Sequence, residues 1–103
     1  MARSRTGEFG RLAARCFGTV LREYRIAAHM TQDALADEAD IHRRYVQLLE
    51  TGNSQPTLEI LLRLSYALNV EFSVVLARTE ALIIKEMAGG KRAGSARGGR
   101  RNV

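Results

Sequence analysis

Apolar residues recur at three- and four-residue steps through most of this chain, the period of an α-helix with one buried face. Leu12, Cys16, Phe17, Val20, Leu21 and Tyr24 form the first stripe and predict a helix from roughly Phe9 to Ala28. Thr31 can N-cap a second helix, Gln32–Ala39, with Asp33 in its first turn and Leu35 and Ala36 inward. A third helix, Arg43–Glu50, buries Val46 and Leu49 and stops at Gly52. After a loop through Asn53 and Pro56, Thr57 can cap a fourth helix whose inner face is expected to be Leu58, Leu61, Leu62, Ser65 and Leu68, with Asn69 as a left-handed stop. A fifth helix starts near Glu71 with Phe72, Val75 and Leu76 inward.

The pattern fails after Met87. Gly89-Gly90 opens a Gly-, Ser- and Arg-rich stretch with no large apolar residue before Val103. Such a segment buries too little surface to offset its ordering entropy, so disorder is expected. The chain thus divides into a flexible basic arm (1–8), one folded unit (9–88) and a disordered basic tail (89–103). The fold class is all-α: a compact five-helix domain with extended first and fifth helices.

Composition adds little to this, and charge adds more. Apolar residues make up 46% of the 103 residues, with three Phe and three Tyr, a mix that favours helices over a sheet. Net charge is +5, unevenly spread. Residues 1–16 carry four arginines against one Glu, residues 17–86 seven basic against ten acidic residues, and residues 87–103 five basic residues and no acid. The folded unit is slightly acidic and the basic surplus lies in the flanks. A polyanion bound by the core must therefore meet locally placed arginines. The single cysteine, Cys16, excludes an internal disulfide and reads as a buried thiol. No signal peptide or run of transmembrane length is present, so no membrane role and a cytoplasmic location are expected.

Residues Phe17 to Leu76 resemble the Cro/cI-type, or xenobiotic-response-element, helix-turn-helix family. The resemblance runs through Phe17-Gly-x-x-Leu21-x-x-x-Arg25, Met30-Thr31-Gln32-x-x-Leu35-Ala36, Ile41-x-x-x-Tyr45-Val46-x-x-Leu49-Glu50-x-Gly52, Pro56-Thr57-Leu58 and Leu64-x-x-Ala67-Leu68-x-Val70. It implies a repressor-like DNA-binding domain whose second and third helices form the helix-turn-helix, the third entering the major groove. The chain departs from the family's usual glycines at His29 and Asp40, both expected at positive φ. His42 stands where the family often has Ser or Thr, so a weaker cap on the third helix is expected.

The exposed start of the third helix carries Arg43, Arg44, Gln47 and Leu48. Arg offers a bidentate fork to guanine, Gln brackets adenine, and Leu can touch a thymine methyl. The family's base-reading positions fall on the same four residues, Leu48 less firmly. By resemblance Gln32 meets a phosphate at a helix start, which free amides there favour, and Asn53, Ser54 and Gln55 match the loop that grips the backbone. Tyr45 has two readings, a phosphate contact or core packing. Arg25 and Glu50 occupy positions that form a structural salt bridge in the family; nothing in their spacing alone would pair them.

Two regions stay open. Leu82, Ile83, Ile84 and Met87 are too apolar for a free helix end; they form a dimer interface, pack back on the first helix, or lie in a short intersubunit strand. Arg3 and Arg5, and Lys91, Arg92, Arg97, Arg100 and Arg101, form basic arms that either contact DNA or stay solvated. No phosphate loop, metal-ligand spacing or nucleophile–base pair is present, so no enzyme activity, no cofactor and no metal are expected. The expected function is a sequence-specific transcriptional regulator, a repressor on palindromic double-stranded DNA as a homodimer. The rivals are an antitoxin or other module holding a protein partner, and non-specific nucleic-acid binding through the tails.

Overall fold

The computed structural model describes the backbone of residues 3–90 and the side chains of residues 7–89. The basic tail from Lys91 onward, and the side chains of Arg3 and Arg5, lie outside the described residues. Five helices follow in order: α1 (Arg3–Ala27), α2 (Gln32–Ala39), α3 (Arg43–Glu50), α4 (Leu58–Leu68) and α5 (Phe72–Gly90). α1 begins six residues before the Phe9 start read from its apolar stripe, because a stripe marks only the turns that pack.

α1 packs against α3 on one side and α5 on another, while α2 contacts α3 and α4. The core between them holds Phe17, Val20, Leu21, Leu35, Ala36, Ala39, Val46, Leu49, Leu64, Leu68 and Val75. Leu21, Leu35, Leu49 and Leu64 are fully enclosed, and each such side chain contributes about 1.5–3 kcal/mol relative to exposure. The buried hydroxyls are satisfied within their own helices: Ser65 donates to the Leu61 carbonyl at 3.0 Å and Thr79 to that of Val75 at 2.9 Å.

Four turns share one design. His29, Asp40, Gly52 and Asn69 all take positive φ, at 59°, 57°, 78° and 59°. In each case the next residue's N–H reaches back to close the helix: Met30 to Arg25, Ile41 to Ala36, Asn53 to Leu48 and Val70 to Ser65. An apolar residue follows three of these left-handed positions (Met30, Ile41 and Val70), and all three pack on the core, as a Schellman closure favours. The left-handed geometry expected of His29, Asp40 and Asn69 is present. His29→Gly is expected to raise unfolding stability by about 0.5–1 kcal/mol: relief of the left-handed penalty outweighs the added freedom of the unfolded chain. Urea denaturation checks this.

Two inner faces differ from the pattern. On α4, Leu58 and Leu62 are exposed, and the buried set is Leu64, Ser65 and Leu68, with Leu61 partly covered. α4 is apolar on two sides, and period alone does not say which side has a neighbour. Leu58, Leu62 and the 83% exposed Tyr66 line a shallow groove with Glu59 and Arg63. On α5, Leu76 points outward and Val75 inward.

Cys16 is buried between α1 and its neighbours. Burial pushes its thiol up, Glu86 adds to the shift and Arg15 opposes it. A protonated, enclosed thiol is a poor nucleophile. Titration with a thiol-reactive disulfide reagent should therefore show negligible reaction in native buffer and one equivalent in denaturant.

Candidate nucleic-acid interface

The position of α3 is set by a missing side chain. A Cβ on Gly18 would lie 2.4 Å from the Leu49 carbonyl oxygen and 2.7 Å from that of Glu50. Glycine at that point lets the carboxyl end of α3 rest directly on α1. At the same end a Cβ on Gly52 would stand 3.0 Å from the Arg15 backbone. The turn after α3 is thus pressed against α1 as well.

Beside this contact lies a part-buried polar cluster. Arg25 donates from Nε to Glu50 Oε2 at 2.6 Å and from Nη2 to Oε1 at 3.0 Å. Its Nη1 donates to the Met30 carbonyl at 2.9 Å. Gln32 Nε2 donates to Glu50 Oε1 at 3.0 Å. The Arg25 and Glu50 side chains are only 11% and 3% exposed. The hydrogen bond to Glu50 raises the Arg25 guanidinium above its ordinary value, against the opposing effect of burial. A raised folded value means that this contribution is fully present below the ordinary guanidinium pKa and is lost only in strong alkali. The network ties the carboxyl end of α1, the start of α2 and the end of α3 together. Gln32, expected at a phosphate, is held here by its amide.

The opposite end of α3 is exposed. His42 is its N-cap, accepting at Nδ1 from the Arg44 N–H at 3.2 Å. The cap expected to be weak is therefore made by the imidazole itself. Arg43 and Arg44 are solvent-exposed; Arg43 Nε lies 3.1 Å from Asp33 Oδ1 on α2. Arg44 enters no ion pair among the described residues. Gln47 and Leu48, one turn on, are half-buried.

The loop after α3 is bound to the scaffold. Asn53 Nδ2 donates to Thr51 Oγ1 at 2.9 Å, and Gln55 Nε2 donates to the Gly10 carbonyl at 2.7 Å. Tyr45 is half-buried, packs on the core and directs its hydroxyl to the Gln55 carbonyl at 3.4 Å. Ser54 is half-buried with no side-chain hydrogen bond among the described residues. On α5, Leu82 packs on the core and Ile83 is half-buried, while Ile84 and Met87 are about half exposed.

Sequence reasoning gave no role to three contributors, although Gly18 stands within the motif that carries the family resemblance. Gly18 had a legible signal, a glycine inside a helical apolar stripe. Arg63 had none: from α4 its Nη1 lies 3.4 Å from the Ala39 carbonyl and 3.6 Å from Asp40, holding the turn between α2 and α3. The Arg43–Asp33 pair likewise depends on how α2 and α3 cross.

Two short helices joined at a left-handed residue, the second resting on α1 and offering arginines at its free end, define a helix-turn-helix DNA-binding regulator of the Cro/cI type. The family model described as helix-turn-helix matches residues 21–75, more than half the chain, and the chain belongs to that family. It is 36% identical over 56 residues to the control protein C.BamHI of Bacillus amyloliquefaciens, covering 53% of this chain and 69% of that protein. Its fold matches the restriction-modification controller protein C.AhdI from Aeromonas hydrophila with a TM-score of 0.59 at 34% identity, over 60% of this chain and 94% of that one. The clp gene regulator ClgR from Corynebacterium glutamicum matches with a TM-score of 0.72 at 23% identity, over 79% of this chain and 86% of that one, a likeness of fold alone. Among the described residues no single helix is long and apolar enough to cross a membrane, and no group of side chains is arranged to hold a metal ion.

Proposed function

We propose that the chain is a cytoplasmic, sequence-specific transcriptional repressor that binds a palindromic operator as a homodimer. The observation that carries this reading is the exposed amino-terminal turn of α3, where Arg44 has no ion-pair partner among the described residues and Gln47 follows one turn later. Arg43, Arg44 and Gln47 read base edges in the major groove, with Leu48 at the margin. Arg43 must first exchange Asp33 for DNA, a small cost for a pair this exposed. The start of α2 at Gln32 and the loop Asn53–Gln55 set register on phosphates, with Tyr45 behind them.

Ile84 and Met87 supply the exposed apolar surface on which a second copy docks, with Ile83 at its edge. A two-fold dimer then presents two α3 helices to half-sites about one DNA turn apart. The controller and regulator names of the relatives support a role in gene control.

The test is selection from random duplex followed by gel shift. The wild type should enrich a two-fold symmetric sequence. Arg44→Ala should weaken binding to it by about 1–3 kcal/mol and relax one or two base positions in each half. A wild type that shows no preference over random duplex would end the regulator reading. A soluble monomer that captures one other protein would favour a protein-holding module.

A further inference from the structure

Among the described residues, three helices have side-chain N-caps, and one differs in kind. Thr31 and Thr57 cap α2 and α4 with hydroxyls, accepting from the N–H of Ala34 at 3.0 Å and of Ile60 at 3.2 Å. Neither group changes charge near neutral pH. α3, which carries the exposed Arg43 and Arg44, is capped by an imidazole, and the N–H it accepts is that of Arg44. Accepting at Nδ1 requires the neutral ring with its proton on Nε2.

We infer that His42 is a pH-sensitive positioning residue, whose neutral imidazole holds the first turn of α3 in its base-reading geometry. This DNA consequence rests on the regulator reading; the capping chemistry does not. When Nδ1 takes a proton, its lone pair is gone and the Arg44 N–H loses its acceptor. The new charge sits at the positive end of the α3 dipole. The charged groups of the elements meeting at this turn are Arg43 and Arg44 on α3, Asp33, Asp37 and Glu38 on α2, Asp40 between α2 and α3, and Glu59 and Arg63 on α4, of which Arg63 reaches both Asp40 and Glu59. Asp33 and Asp40 are engaged by Arg43 and Arg63 respectively. From α1, the groups that meet α3 are Arg15 and Arg25, at its far end beside Gly52 and Glu50. Protonation of His42 therefore adds a third positive charge to the turn that carries Arg43 and Arg44, and removes the bond that orders it.

Two consequences run in opposite directions. An extra positive charge favours any phosphate, so non-specific DNA binding rises. A frayed first turn places Arg44 less well, so discrimination between sequences falls. The ratio of specific to non-specific affinity drops as the ring takes its proton.

The experiment compares wild type, His42→Ser and His42→Ala as full chains. Serine restores a cap that does not titrate, and His29 remains in all three as an internal control. The first readout needs no DNA: the protection factor of the Arg44 amide by NMR hydrogen exchange, taken against the unstructured rate at each pH. In the wild type it should fall roughly fivefold when the measurement is carried from about pH 8 to about pH 5, the size of a lost cap. His42→Ser should stay level, and His42→Ala should be low throughout. Equal pH responses in wild type and His42→Ser, or none in the wild type, overturn the inference. The second readout is the affinity ratio for selected against random duplex over the same range. It should fall in the wild type and stay constant in His42→Ser; a constant wild-type ratio overturns the positioning role. If no preferred duplex exists, the regulator reading has failed, and the amide measurement still decides the capping chemistry.

Discussion

Glu50→Ala is expected to lower unfolding stability by about 3–5 kcal/mol, a large share of what a domain this size has in total. The cost does not come from losing an attraction at the surface. Glu50 is almost fully enclosed and accepts from Arg25 through both carboxylate oxygens, with Gln32 on one of them. Removing it strands a guanidinium that is 11% exposed, with only the Met30 carbonyl left as partner. Replacing both partners by apolar residues of similar volume, Arg25→Met with Glu50→Leu, should recover most of the loss, because no charge is then left unpaired. Urea denaturation of the two single variants and the double variant measures the coupling. A loss from Glu50→Ala of under about 1 kcal/mol, the range of exposed ion pairs, would show that the cluster is solvated. DNA binding should suffer beyond the stability loss, since Gln32 is released together with the end of α3.

Gly18→Ala should also be damaging, by a different route. A single methyl group would stand 2.4 Å from one backbone carbonyl oxygen and 2.7 Å from the next. Neither is the tip of a flexible side chain, so α3 or α1 must move as a body. Overpacking of this kind costs about 1–3 kcal/mol and more where backbone is displaced; the upper end is expected here. Improved helix propensity from Gly to Ala returns at most about 1 kcal/mol. Any protein that still folds should carry a shifted α3 and lose sequence preference out of proportion to its stability. A rise in melting temperature for Gly18→Ala would mean that α1 and α3 are not in contact at this point.

The two variants act on the same end of α3, and that end is distant from the arginines. The carboxyl end of the helix is fixed by Gly18, Gly52 and the enclosed Arg25–Glu50 pair, whereas the amino end is supported by the exposed His42 cap and the exposed Arg43–Asp33 pair, with Arg63 holding the turn before it. The division has a physical logic. A recognition surface must be exposed to meet its target, so it cannot also be enclosed, and its rigidity has to be supplied from the far end and from the cap.

Much of this architecture was legible in the chain because it is local. Thr31 and Thr57 cap their helices, and His29, Asp40 and Asn69 take left-handed geometry, because those features depend on a few consecutive residues. The boundaries of α2 and α3 follow from the same signals, and the resemblance to the family depends on their order and spacing. Pairing across the fold was legible only where the resemblance supplied it, as for Arg25 and Glu50, twenty-five positions apart. What the tertiary structure alone decided is which of two apolar sides of α4 meets a neighbour, leaving Leu58 and Leu62 outside and Leu64 within. It also decided that Leu82 belongs to the core while Ile84 and Met87 face out, that Gln32 is held by Glu50, and that Arg63 secures the turn at Asp40. The reason is common to all of these. Periodicity and capping are written in residues that are neighbours in sequence, but burial and pairing depend on the angle at which separate helices cross, and a single helix carries no record of that angle.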